Sequence, residues 1–515
     1  MLAAGVVVAL LALAPLAYLV IRATGVTDGS LDLVFRARTA EVVANTLVMA
    51  LLVGLGAIAI GLPTGWLTAR TDLPFRRAFA VLVIVPFAVP SYVLAFAVIG
   101  MLGPSGSLAS ALEPIGIQRL PDIYGLPGAV LVLTLATYPY VTLAVRAAVM
   151  RLDPALLEAA RTLGDDERRA FRRVVLPALI VPVTGGALLA VLYALADFGS
   201  VSLLQFDSLS RAIYVQYRAT FDRSLAAVLA LMLAGLALSI AFAEARLRAR
   251  RPATVARARA RPMQVVRLGA WRWPGALFCA AVVLLGLVLP VGTLIAWLVA
   301  GLTNGEPLRV VPEAILNTLL AGVVAVLVAL VLAVPIALLA ARWPGRASGA
   351  VETASMTTYA LPGIVVALSV VFLATGVVPF LYQTLALLAL AYAVRYLPQL
   401  SGPLRDGLRG VPPSLEESAR VLGRGPASAF STVTLPLLRP AIVAGAALVF
   451  LSVAKELPMT LILAPTGFST LATQVWGAVG DGFYARAAAP ALLLVALSMG
   501  SVALLLRGER RGREQ

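Results

Sequence analysis

Two carboxylates, Glu158 and Glu417, stand 259 residues apart in matching surroundings, each with an arginine three residues on (Arg161, Arg420) and a glycine six residues on (Gly164, Gly423). A carboxylate in such a place can accept local hydrogen bonds at a helix start, or it can offer a charge-assisted partner to a cation on another protein. The neighbouring residues allow both. Asp153-Pro154 is a good helix start, an N-cap acceptor followed by proline at the first helical position. Leu156, Leu157 and Ala160 then share one face at helical spacing while Glu158 and Arg161 lie on another. Gly164 lets the chain leave the helix in a left-handed conformation, and Asp165 can cap a second short helix running to the Leu176-Pro177 boundary. In the second copy Pro412-Pro413-Ser414 starts the helix, and Leu415, Glu417, Arg420 and Gly423 repeat the plan. Ser414 and Glu417 also fit a capping box, which leaves purely local stabilisation open for one copy. Two gapless copies favour a role toward a partner.

A second pair of carboxylates lies within apolar sequence. Asp197, in Ala196-Asp197-Phe198-Gly199, maps by the shift of 259 onto Glu456, in Lys455-Glu456-Leu457-Pro458. An ionisable group at mid-bilayer costs roughly 2.5–3.5 kcal/mol on insertion scales, so each is a candidate for a translocation path or outer gate, with Lys455 beside them. The alternative is an interfacial charge that snorkels into water. Each lies about 20 residues beyond Leu-Pro, or about 30 Å of helix, toward the outer end of its span. Pro90, with Pro86, and Pro362 interrupt apolar helices; broken helices are tolerated where they line a cavity or pack on protein.

These groups need elements that hold them in a bilayer. Hydrophobic residues make up 61% of the chain and charged residues 13%, against about a quarter charged in soluble domains. Apolar runs of about 20 residues, enough to cross a bilayer, fall near 2–22, 44–68, 78–102, 128–150, 175–197, 225–245, 273–300, 316–341, 354–376, 380–400, 436–456 and 488–506. The expected fold is an all-α polytopic membrane protein of about twelve transmembrane helices. The net charge of +16 sits mostly in short loops between spans, as cytoplasmic segments require, so the basicity points to lipid topology and not to nucleic acid. The single cysteine, Cys279, excludes a disulfide within the chain, and there is no histidine. An N/S metal site is therefore not expected, nor is a membrane-embedded enzyme. The first span lacks the basic flank of a secretory signal and reads as a retained helix.

The chain also repeats itself. Asn45-Thr46-Leu47 recurs as Asn317-Thr318-Leu319, and the same shift of 272 carries Pro63 to Pro335, Ala69-Arg70 to Ala341-Arg342 and Pro90 to Pro362. Beyond a longer first-half loop around 103–127 the shift becomes 259, taking Pro139 to Pro398 and Leu176-Pro177 to Leu435-Pro436. An even number of spans between the two charged islands makes this a parallel repeat of two six-helix halves. Arginine crowding around the first island puts both islands, the linker and both termini in the cytoplasm. The expected division is a first helix and outer loop (1–40), a first transmembrane domain (41–246), a basic linker (247–272), the first helix of the second half (273–310), a second transmembrane domain (311–507) and a tail (508–515).

Glu-Ala-Ala, three residues, Gly, nine residues, an aliphatic residue, any residue and Leu-Pro together resemble the cytoplasmic motif of permeases in binding-protein-dependent ABC importers of type I. Glu158-Ala159-Ala160, Gly164 and Leu176-Pro177 fit it; Glu417-Ser418-Ala419, Gly423 and Leu435-Pro436 fit with one Ala-to-Ser departure. The resemblance implies that each island is a coupling helix docked into a cytoplasmic ABC ATPase, present in two copies, with a binding protein delivering solute outside a bacterial inner membrane. It also implies that this subunit binds no cofactor and that ATP is used by the partner. In agreement, a P-loop needs Gly-Lys-Ser/Thr, and the only lysine is Lys455. The outer segments Ala-Asp-Phe-Gly, Lys-Glu-Leu-Pro-Met-Thr and Leu-Ala-Thr-Gln-Val-Trp look most like fused permeases of ferric iron importers; thiamine and phosphonate permeases share the architecture. A rival of another class is an ion-coupled secondary transporter, which would not need paired docking helices.

Overall fold

Proline decides where the apolar runs break. The computed structural model describes residues 1–25, 36–103, 106, 108, 113, 121–152, 160, 162–164, 166, 169, 171–219, 223–249, 265–306 and 312–514. Its main helices in chain order are α1 (Leu2–Ala23), α2 (Ala37–Arg70), α3 (Arg76–Leu82), α4 (Ser91–Leu102), α5 (Leu126–Arg151), α6 (Leu176–Ala196), α7 (Gly199–Leu203), α8 (Leu209–Ala219), α9 (Ser224–Ala249), α10 (Arg272–Val283) and α11 (Leu289–Thr303). The second half continues with α12 (Pro312–Arg342), α13 (Arg346–Ala360), α14 (Gly363–Val377), α15 (Leu385–Gly410), α16 (Pro413–Val421), α17 (Leu435–Ala454), α18 (Pro458–Leu463), α19 (Leu471–Gly480) and α20 (Tyr484–Glu514). The shift of 272 carries the start of α4 onto that of α14, and the shift of 259 carries both ends of α5 onto those of α15.

Among the described residues, eight helices are long and apolar enough to cross a membrane, or ten with two bent pairs counted as one span each, against the twelve expected. The runs at 78–102 and 354–376 are not straight spans. Segments 76–88 and 91–102 meet at 98°, and 346–360 and 363–377 at 107°. Pro90 and Pro362 sit at the breaks in extended conformation, ψ 139 and 144, because proline has no N–H to donate and crowds the preceding turn. The stretch after each break, 91–99 and 363–372, is buried at every residue, as an all-round apolar helix must be. The run at 380–400 lies mostly on α15, which carries Arg395, Arg405, Asp406 and Arg409, and the run at 488–506 lies on α20. The longer loop near 103–127 falls largely outside the described residues.

The chain forms two units, and the chain-order division of the sequence is crossed by a reciprocal exchange. One unit comprises Phe35–Ala212 and Gly235–Glu306, the other Met1–Val34, Ile213–Ala234 and Pro307–Gln515. The span 269–303, expected to open the second half, therefore packs with first-half helices. Trp297 on α11 lies over Phe96 on α4 with centroids 4.7 Å apart, and a Cβ at Gly100 would meet its ring at 1.8 Å. The linker's far end is sewn to the same unit: Val266 N–H donates to Arg70 O at 2.9 Å and Leu268 N–H to Asp72 Oδ1 at 2.8 Å. In the other unit α1 packs on α12, α13 and α14, with the Thr358 hydroxyl donating to Ala12 O at 3.1 Å.

Inside each unit the long helix is lined with small residues that allow close backbone approach. A Cβ at Gly61 would lie 2.6 Å from Val141 Cβ, so α2 and α5 meet nearly backbone to backbone. At the matching place of α12 stands Ala333, fully buried. The Asn-Thr-Leu repeat has a structural use. The Thr46 hydroxyl accepts Leu209 N–H at 2.9 Å and donates to Val42 O at 2.7 Å; Thr318 accepts Leu471 N–H at 2.9 Å and donates to Ala314 O at 2.6 Å. Each threonine thus satisfies one orphan N–H at the first turn of α8 or α19.

Candidate functional site

The second charged island opens on α16, a helix with a defined start and stop, and a short helix, Pro426–Ala429, follows it. Pro412 is the N-cap of α16 and Pro413 its first residue, with no side-chain cap. Ser414 therefore falls two positions too deep for a capping box, and that local use of Glu417 is not realised. Glu417 is exposed, as are Ser418 and Arg420, while Ala419 is buried at 7% exposure. Among the described residues no ion pair joins Glu417 to Arg420. Its neighbour Glu416 turns inward, accepting from Arg342 Nη2 at 3.3 Å and from the Thr434 hydroxyl; Arg342 Nη1 also donates to Val411 O at 3.2 Å. The helix stops at Gly423, φ +86. Its N–H bonds Arg420 O at 3.0 Å and the next N–H, of Arg424, bonds Ala419 O at 3.1 Å, which together make a Schellman stop. Beside that turn Val421 and Leu422 are 88% and 82% exposed.

Of the first island, Glu158 and Ala159 lie outside the described residues, as do Asp153, Pro154, Leu156, Leu157, Arg161 and Asp165. What is described matches the second copy. Ala160 is buried, like Ala419; Gly164 has φ +91; and Leu163 is 87% exposed, the counterpart of Leu422. Pro177 and Pro436 stand in the first turn of α6 and α17. Each is preceded by one π-helical segment, Phe171–Val175 and Phe430–Thr434, again 259 apart. A proline clashes with the carbonyl four residues back; the wider π turn relieves that clash and lets the helix run on through it.

The paired carboxylates are both buried, at 7% and 8% exposure, and each staples a broken helix. Asp197 follows the last residue of α6. It accepts from the hydroxyls of Ser91 and Ser200, and from the backbone N–H of Ser200 at 3.0 Å and Val201 at 3.4 Å. Ser91 is the first residue of α4 after Pro90, and Ser200 lies at the start of α7. Glu456 stands at the same kind of junction with different chemistry: Arg395 Nη1 donates to its Oε1 at 2.9 Å and the Tyr396 hydroxyl to its Oε2. Gly363, first in α14 after Pro362, occupies the register of Ser91. A Cβ there would lie 2.2 Å from Arg395 Nη1 and 2.5 Å from Glu456 Oε1. One half thus holds its carboxylate with neutral donors, the other with a guanidinium admitted by a missing side chain. Lys455 is the partly buried C-cap of α17.

Sequence reasoning passed over Ser91, Ser200, Gly363, Arg395, Tyr396 and Glu416. Arg395 carried a readable signal, since a lone cation in an apolar run requires a partner. Glu416 differs from its repeat counterpart, Leu157, which was the available clue to a second-half role.

The profile of the family described as binding-protein-dependent transport system inner membrane component matches residues 61–251 and 333–511. Over 496 residues, 95% of this chain and 94% of the relative, the chain is 30% identical to the Fe(3+)-transport system permease protein FbpB 2 of Haemophilus influenzae. It is also 30% identical over 213 residues, 41% of this chain and 74% of the relative, to a probable molybdenum ABC transporter permease protein of Haloferax volcanii. A chain from the crystal structure of a bacterial alginate ABC transporter with its periplasmic protein is similar over 44% of this chain and 82% of its own, at 20% identity and a TM-score of 0.36. Two family segments within one polypeptide, and a full-length fused relative, place the repeat and its matched islands in one scheme. This chain belongs to the inner membrane components of binding-protein-dependent ABC importers, as a multi-pass permease with both permease halves fused.

Proposed function

We propose that the protein is the permease of an ATP-driven importer whose solute is ferric iron. As a member of its family it works with a separate ATPase and a substrate-binding protein. The observation that carries the iron reading is the near end-to-end likeness to a ferric iron permease, in keeping with the outer segments around Asp197 and Glu456. The iron is cargo handed over by the external protein, and this subunit carries no cofactor of its own. Asp197, Lys455, Glu456, Pro90 and Pro362 border the path by fixing the broken helices beside it.

Two ATPase copies dock on the two coupling segments. Glu158 and Glu417 offer carboxylates to cations of the ATPase, Ala159, Ser418 and the buried Ala160 and Ala419 keep each helix slim, and Gly164 and Gly423 set the turn that projects Leu163 and Leu422. Pro177 and Pro436 return the chain to the bilayer. Exposure of Glu417 on a helix that does not use it for capping supports this assignment. Both termini and the arginine-rich linker then lie on the ATPase side.

Uptake of radiolabelled ferric iron, thiamine and a phosphonate, compared in cells expressing the whole complex, tests the cargo. Iron accumulation with neither organic solute is expected; import of an organic solute without iron overturns the iron assignment and leaves the family membership intact.

A further inference from the structure

The second coupling helix is bound to its own half by charged and polar side chains, one of them a carboxylate whose counterpart in the repeat is a leucine. Arg342 at the end of α12 reaches Glu416 at 3.3 Å and Val411 O at 3.2 Å, and Thr434, at the end of the π segment, donates to the same carboxylate. The repeat register takes these three residues to Arg70, Leu157 and Val175. Leucine and valine side chains neither accept nor donate, so a carboxylate at the register of Glu416 belongs to the second half alone. The same difference recurs nearby. Arg405 pairs with Glu352, whereas its counterpart Arg146 donates to the backbone carbonyl of Ala80 at 3.0 Å. At two separate places a carboxylate of the second half replaces an apolar side chain of the first.

Direction matters in such a joint. Apolar burial is non-directional and resists separation more than sliding, while a charged, hydrogen-bonded pair fixes orientation as well. Arg342 and Glu416 side chains are 17% and 30% exposed, sheltered relative to the surface pairs that contribute little, and each makes a second hydrogen bond that strengthens the set. We propose that Glu416 is a positioning residue for energy coupling: through Arg342 and Thr434 it makes α16 move as one body with the second half. The proposal rests on the reading of α16 as an ATPase dock.

The test uses the complete importer in liposomes, with ATPase and binding protein. Glu416→Leu combined with Thr434→Val writes the first half's own side chains into the second, and Glu416→Gln serves as a near-isosteric companion where the double variant fails to insert. Both should retain the ATPase at the native ratio, while backbone amides of 415–422 exchange about tenfold faster and ferric iron imported per ATP falls about tenfold, the scale of a lost charge-assisted pair. Unchanged exchange and unchanged import per ATP overturn the latch, as does loss of the ATPase from a Glu416 variant. Exchange needs no cargo, so it decides the latch even where iron is not imported. A native complex that fails to retain the ATPase overturns the docking reading instead.

Discussion

Arg395 Nη1 lies 2.9 Å from Oε1 of Glu456, and both crowd the place where Gly363 has no side chain. Breaking a buried ion pair by displacing one partner costs about 3–5 kcal/mol, because the other charge stays buried. Gly363→Ala is therefore expected to depress the melting temperature of the purified protein strongly, although alanine is the better helix former. Ser91→Gly, which only removes one neutral donor from Asp197, should shift it by far less; a melting scan of both variants checks the ranking.

The two carboxylates should also respond differently to neutralisation. Asp197→Asn leaves hydroxyl and amide partners that an amide can still accept from, at a cost of about 1–2 kcal/mol. Glu456→Gln strands the Arg395 guanidinium and should cost more, while Arg395→Gln added to it should restore part of the loss. Expression level and melting temperature of the three variants measure this cycle, and an Asp197→Asn variant as damaged as Glu456→Gln contradicts the assignment of partners.

Thr46 and Thr318 were legible only as a repeat. Asn-Thr-Leu occurs twice in the sequence, yet its use requires knowing that α8 and α19 begin against α2 and α12, a contact 163 residues away in the first half. The π segments were similarly out of reach, since the Leu-Pro that follows each announces a kink or a break as readily as a π turn. Helix positions, the parallel repeat and the Gly164 and Gly423 turns follow from periodicity and local backbone chemistry, which sequence carries directly. The exchange of α1 and the span 269–303 between units does not, because the faces of such apolar helices read alike. From the hydroxyl geometry, Thr46→Val and Thr318→Val should each cost about 1–2 kcal/mol, the price of an unpaired helix N–H, while the matching serine variants stay near native in the same melting assay.

Topology is open to a labelling experiment. Ser428 is exposed on the short helix Pro426–Ala429 that follows the second coupling helix, and Cys279 is fully buried. A Ser428→Cys variant in a Cys279→Ala background should resist a membrane-impermeant thiol reagent added to intact cells and react after permeabilisation. Labelling from outside reverses the proposed orientation.

ATP-driven import is tested most directly by solute accumulation in proteoliposomes holding the permease, the ATPase and the binding protein, with ATP confined to the face that carries α16. Ferric iron should accumulate only with all three proteins and hydrolysable ATP, and the Glu158→Ala, Glu417→Ala double variant should lose ATPase retention and accumulation together. Accumulation by the permease alone under an imposed proton or sodium gradient, indifferent to ATP and to both glutamates, would contradict the importer mechanism.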